Sequence, residues 1–238
     1  GNDGLDGLSV DTALVSLAQA QNRLVELRPE RDVEIRVLPG RYLGQQVEWT
    51  FTMPDHTILI RRHEDEGERP VFDGCLSDPV TDVASQCPGG TWFRLSHSGG
   101  EETNIHFWYL RVERYQTAIS FNGNRNDEAR SNGSNRIYGC YFADIGNVFN
   151  PSLDPSTAAV RLVNSDDNGI INTHFVRIEN VTRGGLIHPI YNAHMSDRNQ
   201  ILRNRFLVSS GDPVRLRDFS NDNVILDNVF IRAGIQAG

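Results

Sequence analysis

Five segments of this chain repeat one another: TNIHFWYL (103–110), NRIYGCYF (135–142), NGIINTHF (168–175), NQILRNRF (199–206) and NVILDNVF (223–230). They align on an isoleucine (Ile105, Ile137, Ile170, Ile201 and Ile225). Five residues later comes a large apolar side chain: Leu110, Phe142, Phe175, Phe206 and Phe230. The isoleucines lie 32, 33, 31 and 24 residues apart. A period of this size marks a stacked array in which each unit buries its apolar side only against its neighbours. Unequal spacing fits such an array, because insertions bulge at the corners while the stacked strands keep register.

A second series lies between the first: WFRL (92–95), AISF (118–121), AVRL (159–162), PIYN (189–192) and PVRL (213–216). Alternation turns Phe93, Ile119, Val160, Ile190 and Val214 inward. The next residue of each strand then points outward, giving Arg94, Ser120, Arg161, Tyr191 and Arg215, with Ser96, Asn122, Val163, Ala193 and Arg217 two positions further on. Asn204 and Asn228 occupy matching places where amides can stack along a solenoid corner, a ladder broken by Thr173, Cys140 and Trp108. Upstream, VDTALVSLAQAQNRLVEL (10–27) has helical spacing, with Ser9 or Asp11 near its start as a cap. A helix there would cover the open apolar end of the array. The segments VEIRVLPGRYLG (33–44) and HTILIRR (56–62) read as the first strands and turn. HEDEGERP (63–70) reads as a solvated acidic loop, since it lacks the ordered ligand spacing of a calcium loop.

LPGRYLG (38–44), PVFDG (70–74) and the recurring N-x-I-x-x-N-x-F pattern followed by a second alternating strand carry a resemblance. Residues 33–238 resemble the right-handed parallel β-helix proteins of the pectate-lyase-like superfamily. The resemblance implies an all-β, single-stranded right-handed parallel β-helix over residues 33–238. Residues 1–32 are the expected N-terminal cap with a short helix. It also implies a ligand groove across the sheet formed by the second series. Activity is implied less narrowly, because the superfamily includes lyases, hydrolases, epimerases, esterases and adhesins. The familiar calcium-binding aspartate cluster cannot be matched residue by residue, and HPIY (188–191) shares only a histidine and a proline with the Asp-Pro-His-Asp arrangement of the epimerases. No metal and no cofactor are expected.

The formal charge is −8, and all 23 basic residues are arginine. Lysine chemistry is therefore excluded, and an acidic chain without a basic tract is a poor partner for nucleic acid. No apolar run reaches membrane-spanning length, so no membrane association is expected. Against that background a local arginine cluster stands out. Coils stack roughly 4.8 Å apart, so Arg161, Tyr191, Arg215 and Arg217 should form one patch, with His188 and His194 at the ends of the tyrosine's strand. Arginine presents a rigid donor fork suited to carboxylates, which makes an acidic polysaccharide the expected partner. The leading expectation is β-elimination on a uronate-containing polysaccharide. Tyr191, His188, His194 and Arg215 are the candidate catalytic residues, and Arg161, Arg217, Arg94 and Asp212 the candidate substrate-binding residues. Strict alternation would turn His188 inward beside Ile190.

Three other readings stand beside it. The arginines could be soluble cover paired with Asp166, Asp212 or Asp218. The activity could be hydrolysis by paired aspartates, Asp212 with Asp218 or Asp166 with Asp167. The chain could also be a non-catalytic carbohydrate-binding or adhesion solenoid. Arginines around Arg125, Arg130 and Arg136 fall in a loop where no groove is expected. Cys75 and Cys87 have a spacing that suits a loop-closing disulfide in an exported protein, with two free thiols as the alternative, and Cys140 reads as a buried small hydrophobe. An extracellular location is expected.

Overall fold

A computed structural model of the chain describes residues 1–233; the last five residues of the expected solenoid, 234–238, lie outside the described residues. Short strands repeat around the chain and stack into three long parallel sheets, two of seven strands and one of six, with a further two-stranded parallel pair at a corner. Every strand pair in them is parallel and joins equivalent strands of successive coils, as in Val160 pairing with Ile119 on one side and Ile190 on the other. Together with the N-terminal helix this is the expected right-handed parallel β-helix. The strands stay short because each coil turns at three corners, and stacked backbones supply the hydrogen bonds that a lone three-residue strand lacks.

The second series stacks as its alternation requires. Val47, Phe93, Ile119, Val160, Ile190 and Val214 form one column in register. The first series needs one correction. Ile137 pairs with Phe107, while Ile105 pairs with Ile58 on the coil before. Val112, not Leu110, then lies beside Phe142. Ile105 and Leu110 are still fully buried, because strand faces repeat every second residue and a two-residue shift keeps the same side inward. From there the column runs as expected through Ile137, Ile170, Ile201 and Ile225. Beside it Phe142, Phe175, Phe206 and Phe230 stack with ring centroids 5.3, 5.0 and 5.1 Å apart, each contact adding about 0.5–1.5 kcal/mol beyond burial.

The corners are held by buried amides. The expected ladder runs from Asn228 to Asn204 to Thr173, each side-chain oxygen of the two asparagines accepting the backbone N–H of the coil before. A second ladder uses the first asparagine of the repeat: Asn135, Asn168, Asn199 and Asn223 bond in succession. The Asn168 side-chain amide donates to Asn199 Oδ1 at 2.8 Å, and its Oδ1 accepts from the Asn135 side-chain amide at 2.9 Å. Between the first and second sheets one residue per coil takes left-handed backbone, namely Tyr109, Gly139, Asn172, Arg203 and Asp227 at φ 58°, 60°, 52°, 54° and 57°. Glycine suits its place doubly, since a Cβ at Gly139 would lie 2.5 Å from the Tyr109 ring.

The N-terminal helix is shorter than its periodicity suggests, spanning Leu17–Leu27, and its cap is Ser16 rather than Ser9 or Asp11. Residues 7–12 are taken up by a local turn: Gly7 N–H donates to the Thr12 carbonyl at 2.9 Å and the Ser9 and Thr12 hydroxyls bond at 3.0 Å. Such side-chain bonds compete with helix formation. The helix buries Leu17 and Leu24 against the first coil. Its Gln21 donates to the Glu48 carbonyl at 3.1 Å and accepts from the Phe51 N–H at 3.1 Å, so it satisfies backbone groups where the third sheet ends.

Cys75 and Cys87 form a disulfide, and Cys140 is a buried free thiol whose pKa burial pushes up to about 12. A buried ion-pair network lies beside the bridge: Asp73, fully buried, meets both Arg41 and Arg114, and Glu113 accepts from Arg41 and Arg111 at 2.6 Å each. No helix among the described residues is long and apolar enough to cross a membrane.

Candidate functional site

The third sheet presents the outward column that alternation requires. Glu48, Arg94, Ser120, Arg161, Tyr191 and Arg215 pair in register on successive coils. At roughly 4.8 Å per coil the five steps from Glu48 to Arg215 extend about 24 Å along the solenoid axis. The arginines in it are not equivalent. Arg94 is bonded to Glu48 and Arg215 to Asp212, both at 2.9 Å, and Arg217 beside them bonds Asp218 at 2.9 Å. For these three the expectation of surface arginines paired with acids applies, and exposed pairs of this kind contribute little stability.

Arg161 differs. Among the described residues it has neither a salt-bridge partner nor a side-chain hydrogen bond, and Asp166 pairs with Arg198 instead. Burial lowers the Arg161 pKa, and the neighbouring Arg125 and Arg94 guanidiniums lower it further, with Tyr191 opposing them. It is a partly buried cation set among cations.

The concave part of this face is an open cleft of about 430 Å³ lined by Thr91, Arg94, Thr117, Ser120, Asn122, Arg125 and Arg161 among others. Tyr191 borders the cleft one coil away and does not line it. Arg125 corrects the reading of its loop as remote from any groove. Val163 pairs with Asn122 and Ser165 with Asn132, so residues 123–131 form a nine-residue loop where the next coil has the single residue Asn164. Buried Asn164 ties the loop down, donating to the Asn124 and Asp127 carbonyls at 2.8 and 2.7 Å. Gly123 permits the close approach, since a Cβ there would lie 2.3 Å from the Asn164 carbonyl oxygen. The loop carries Arg125 over the cleft.

His188 also departs from strict alternation. Its ring stacks on the Tyr191 ring at 6.0 Å, three residues along the same strand, so both lie on one side of the sheet. His188 is buried, and its Nδ1–H donates to the Asp212 carbonyl at 3.0 Å. Burial lowers its pKa, the bond to Asp212 opposes this, and Arg215 and Arg217 add to the lowering. The ring is thus neutral at neutral pH with Nε2 unprotonated, the form that can take up a proton. His194 follows the same strand at the turn. Its Nε2 lies 3.4 Å from Arg125 Nη2 and its Nδ1 3.6 Å from Asp218 Oδ2.

Asp212 and Asp218 are engaged by Arg215 and Arg217, and Asp167 and Asp166 by Arg198 at 2.8 and 3.6 Å. Burial raises the Asp166 pKa. Among the described residues no three His, Cys, Asp or Glu side chains converge as a metal site would require.

By sequence the chain matches no protein-family model and no curated protein. By structure it is similar to an alginate lyase from Paenibacillus sp. (TM-score 0.63, 15% identity, 92% of this chain and 66% of that one). It is likewise similar to a rhamnogalacturonan lyase (TM-score 0.60, 14% identity, 97% of this chain and 56% of that one). The shared fold is the right-handed parallel β-helix. A Parabacteroides merdae protein assigned provisionally to the glycosyl hydrolases also superposes, at TM-score 0.56 and 13% identity over 95% of this chain and 92% of that one. The chain thus spans less than two thirds of the length of the two lyases. At these identities the likeness is one of fold, and the chemistry rests on the residues themselves.

Proposed function

We propose that the protein acts on acidic polysaccharides as a lyase, cleaving a uronate-containing chain by β-elimination, and that it works outside the cell. The observation that carries this reading is Arg161, a guanidinium with no counter-charge among the described residues, set in a cleft beside Tyr191. An anionic ligand supplies the charge that the protein leaves out. A polymer running along the solenoid axis would place one carboxylate on Arg161 while neighbouring sugars meet the Arg94 and Arg215 ends of the column.

In the reaction, a base removes the proton from the carbon bearing the uronate carboxylate, the C–O bond to the neighbouring sugar breaks, and the departing oxygen is protonated. Arg161 stabilises negative charge developing on the carboxylate. Neutral His188 and the Tyr191 hydroxyl are the proton carriers, within one stacked pair. Arg94, Arg215, Arg217 and Asp212 form the ends of the binding face, and His194 stands at its edge beside Arg125. The disulfide Cys75–Cys87 supports an extracellular setting.

The test is incubation with a panel of uronate and neutral polysaccharides followed by mass analysis. Elimination yields an unsaturated sugar one water lighter than the hydrolytic product. Saturated fragments would transfer the assignment to the aspartates, and binding without cleavage would leave an adhesion module.

A further inference from the structure

The side chains around His194 form a connected set at the mouth of the cleft. Arg125 has only donors, so its 3.4 Å contact with His194 Nε2 requires that nitrogen to be the acceptor. The imidazole proton then sits on Nδ1, on the side of Asp218 Oδ2 at 3.6 Å, and Asp218 is itself held by Arg217 at 2.9 Å. The charged groups facing His194 come from three separate elements: Arg125 from the nine-residue loop, Arg161 from the neighbouring strand, and Asp218 with Arg217 from the following coil. Three of the four are cations. The Arg125 loop is tied at its base by Asn164, and His194 is the only side-chain partner that holds the guanidinium among the described residues.

We propose that His194 is a positioning residue. In its neutral Nδ1–H form, required by the donor-only guanidinium at Nε2, it holds Arg125 over the cleft as a second carboxylate-binding arm beside Arg161, and protonation of His194 releases that arm. This inference rests on the anionic-glycan reading of the cleft. The electrostatics agree with it: burial lowers the His194 pKa, Arg125 lowers it further, Asp218 opposes both, and Arg217 and Arg161 add to the lowering. The neutral form therefore dominates at neutral pH. Below the titration point Nε2 carries a proton and meets Arg125 donor to donor and cation to cation, so the contact is lost.

Two measurements on the full chain test this separately. In the first, without any glycan, nitrogen NMR of histidine-labelled protein follows His194 through a pH titration. The expected result is an Nδ1–H tautomer and a midpoint that rises in Arg125→Gln, where the repelling cation is gone. An Nε2–H tautomer, or an unchanged midpoint, overturns the positioning role whatever the protein binds. In the second, a galacturonate oligomer and an alginate oligomer are titrated by calorimetry at pH 8 and pH 5. Wild type is expected to bind about ten-fold more weakly at pH 5, the loss of one charge-assisted arm. His194→Gln, which keeps an uncharged acceptor, should bind like wild type at pH 8 and lose that pH dependence. Arg125→Gln should bind at both pH values as wild type does at pH 5. Tighter binding of wild type at pH 5 would show that protonated His194 acts as an extra cation, and it overturns the proposal. No binding of either oligomer at either pH removes the glycan reading while leaving the NMR result to stand or fall by itself.

Discussion

Tyr191 and Arg161 sit side by side on adjacent strands and divide the proposed chemistry between them. Tyr191→Phe keeps the ring against His188 and removes only the hydroxyl. Steady-state kinetics should show kcat reduced about a hundred-fold or more, the usual contribution of a positioned proton carrier, with KM nearly unchanged. Arg161→Gln removes a charge that has no partner among the described residues, so folding should be little affected. Both kcat and KM for an acidic glycan should suffer, because the guanidinium meets the carboxylate in ground state and transition state alike. If Tyr191→Phe retained full turnover, the hydroxyl would have no place in the mechanism.

At the scale of the strand and corner, stability depends on where an amide sits in its ladder. Asn168→Ala leaves the Asn135 N–H and side-chain amide, both bonded to it, without a buried partner. Two such losses should lower unfolding free energy by about 2–5 kcal/mol, read from urea denaturation. Asn228→Ala, at the more open end, removes partners that water can replace and should cost no more than about 1 kcal/mol. Equal costs would mean that the ladder does not act through burial. We propose that residues 1–32 are an N-terminal cap to the solenoid. The basis is Gln21, whose amide bonds backbone groups at Glu48 and Phe51.

For the molecule as a whole, two solution properties follow. Thiol counting under denaturing, non-reducing conditions should find one reactive cysteine, Cys140, and three would remove the bridge. Acid stability is governed in part by histidines. Burial is the main cause that lowers the pKa of His106, His174, His188 and His194 from 6.5. The unfolded chain takes up these protons first, so stability is full above about pH 6.5 and falls as pH drops below it toward the depressed folded values. Thermal unfolding followed between pH 8 and pH 5 should show the melting temperature declining over that window. A flat profile would mean these rings titrate as exposed ones do.

The solenoid was legible in the chain's repeats. Its inward columns, its phenylalanine stack and the face on which Arg94, Arg161, Tyr191 and Arg215 stand all follow from strand alternation and period, which are local properties that every coil restates. The repeats could not choose between registers two residues apart, so the Ile105 and Leu110 alignments gave way to Phe107 and Val112, which share the same inward parity. Nor could they place Arg125 or His188. Arg125 reaches the cleft because a nine-residue loop folds back onto buried Asn164, and His188 joins Tyr191 because alternation fails at the strand's start. Which arginines are already neutralised depends on how the coils fold together. Counter-charges such as Glu48 and Asp212 lie on neighbouring coils or corners, where charge pairing depends on distance in space and not on position along the chain.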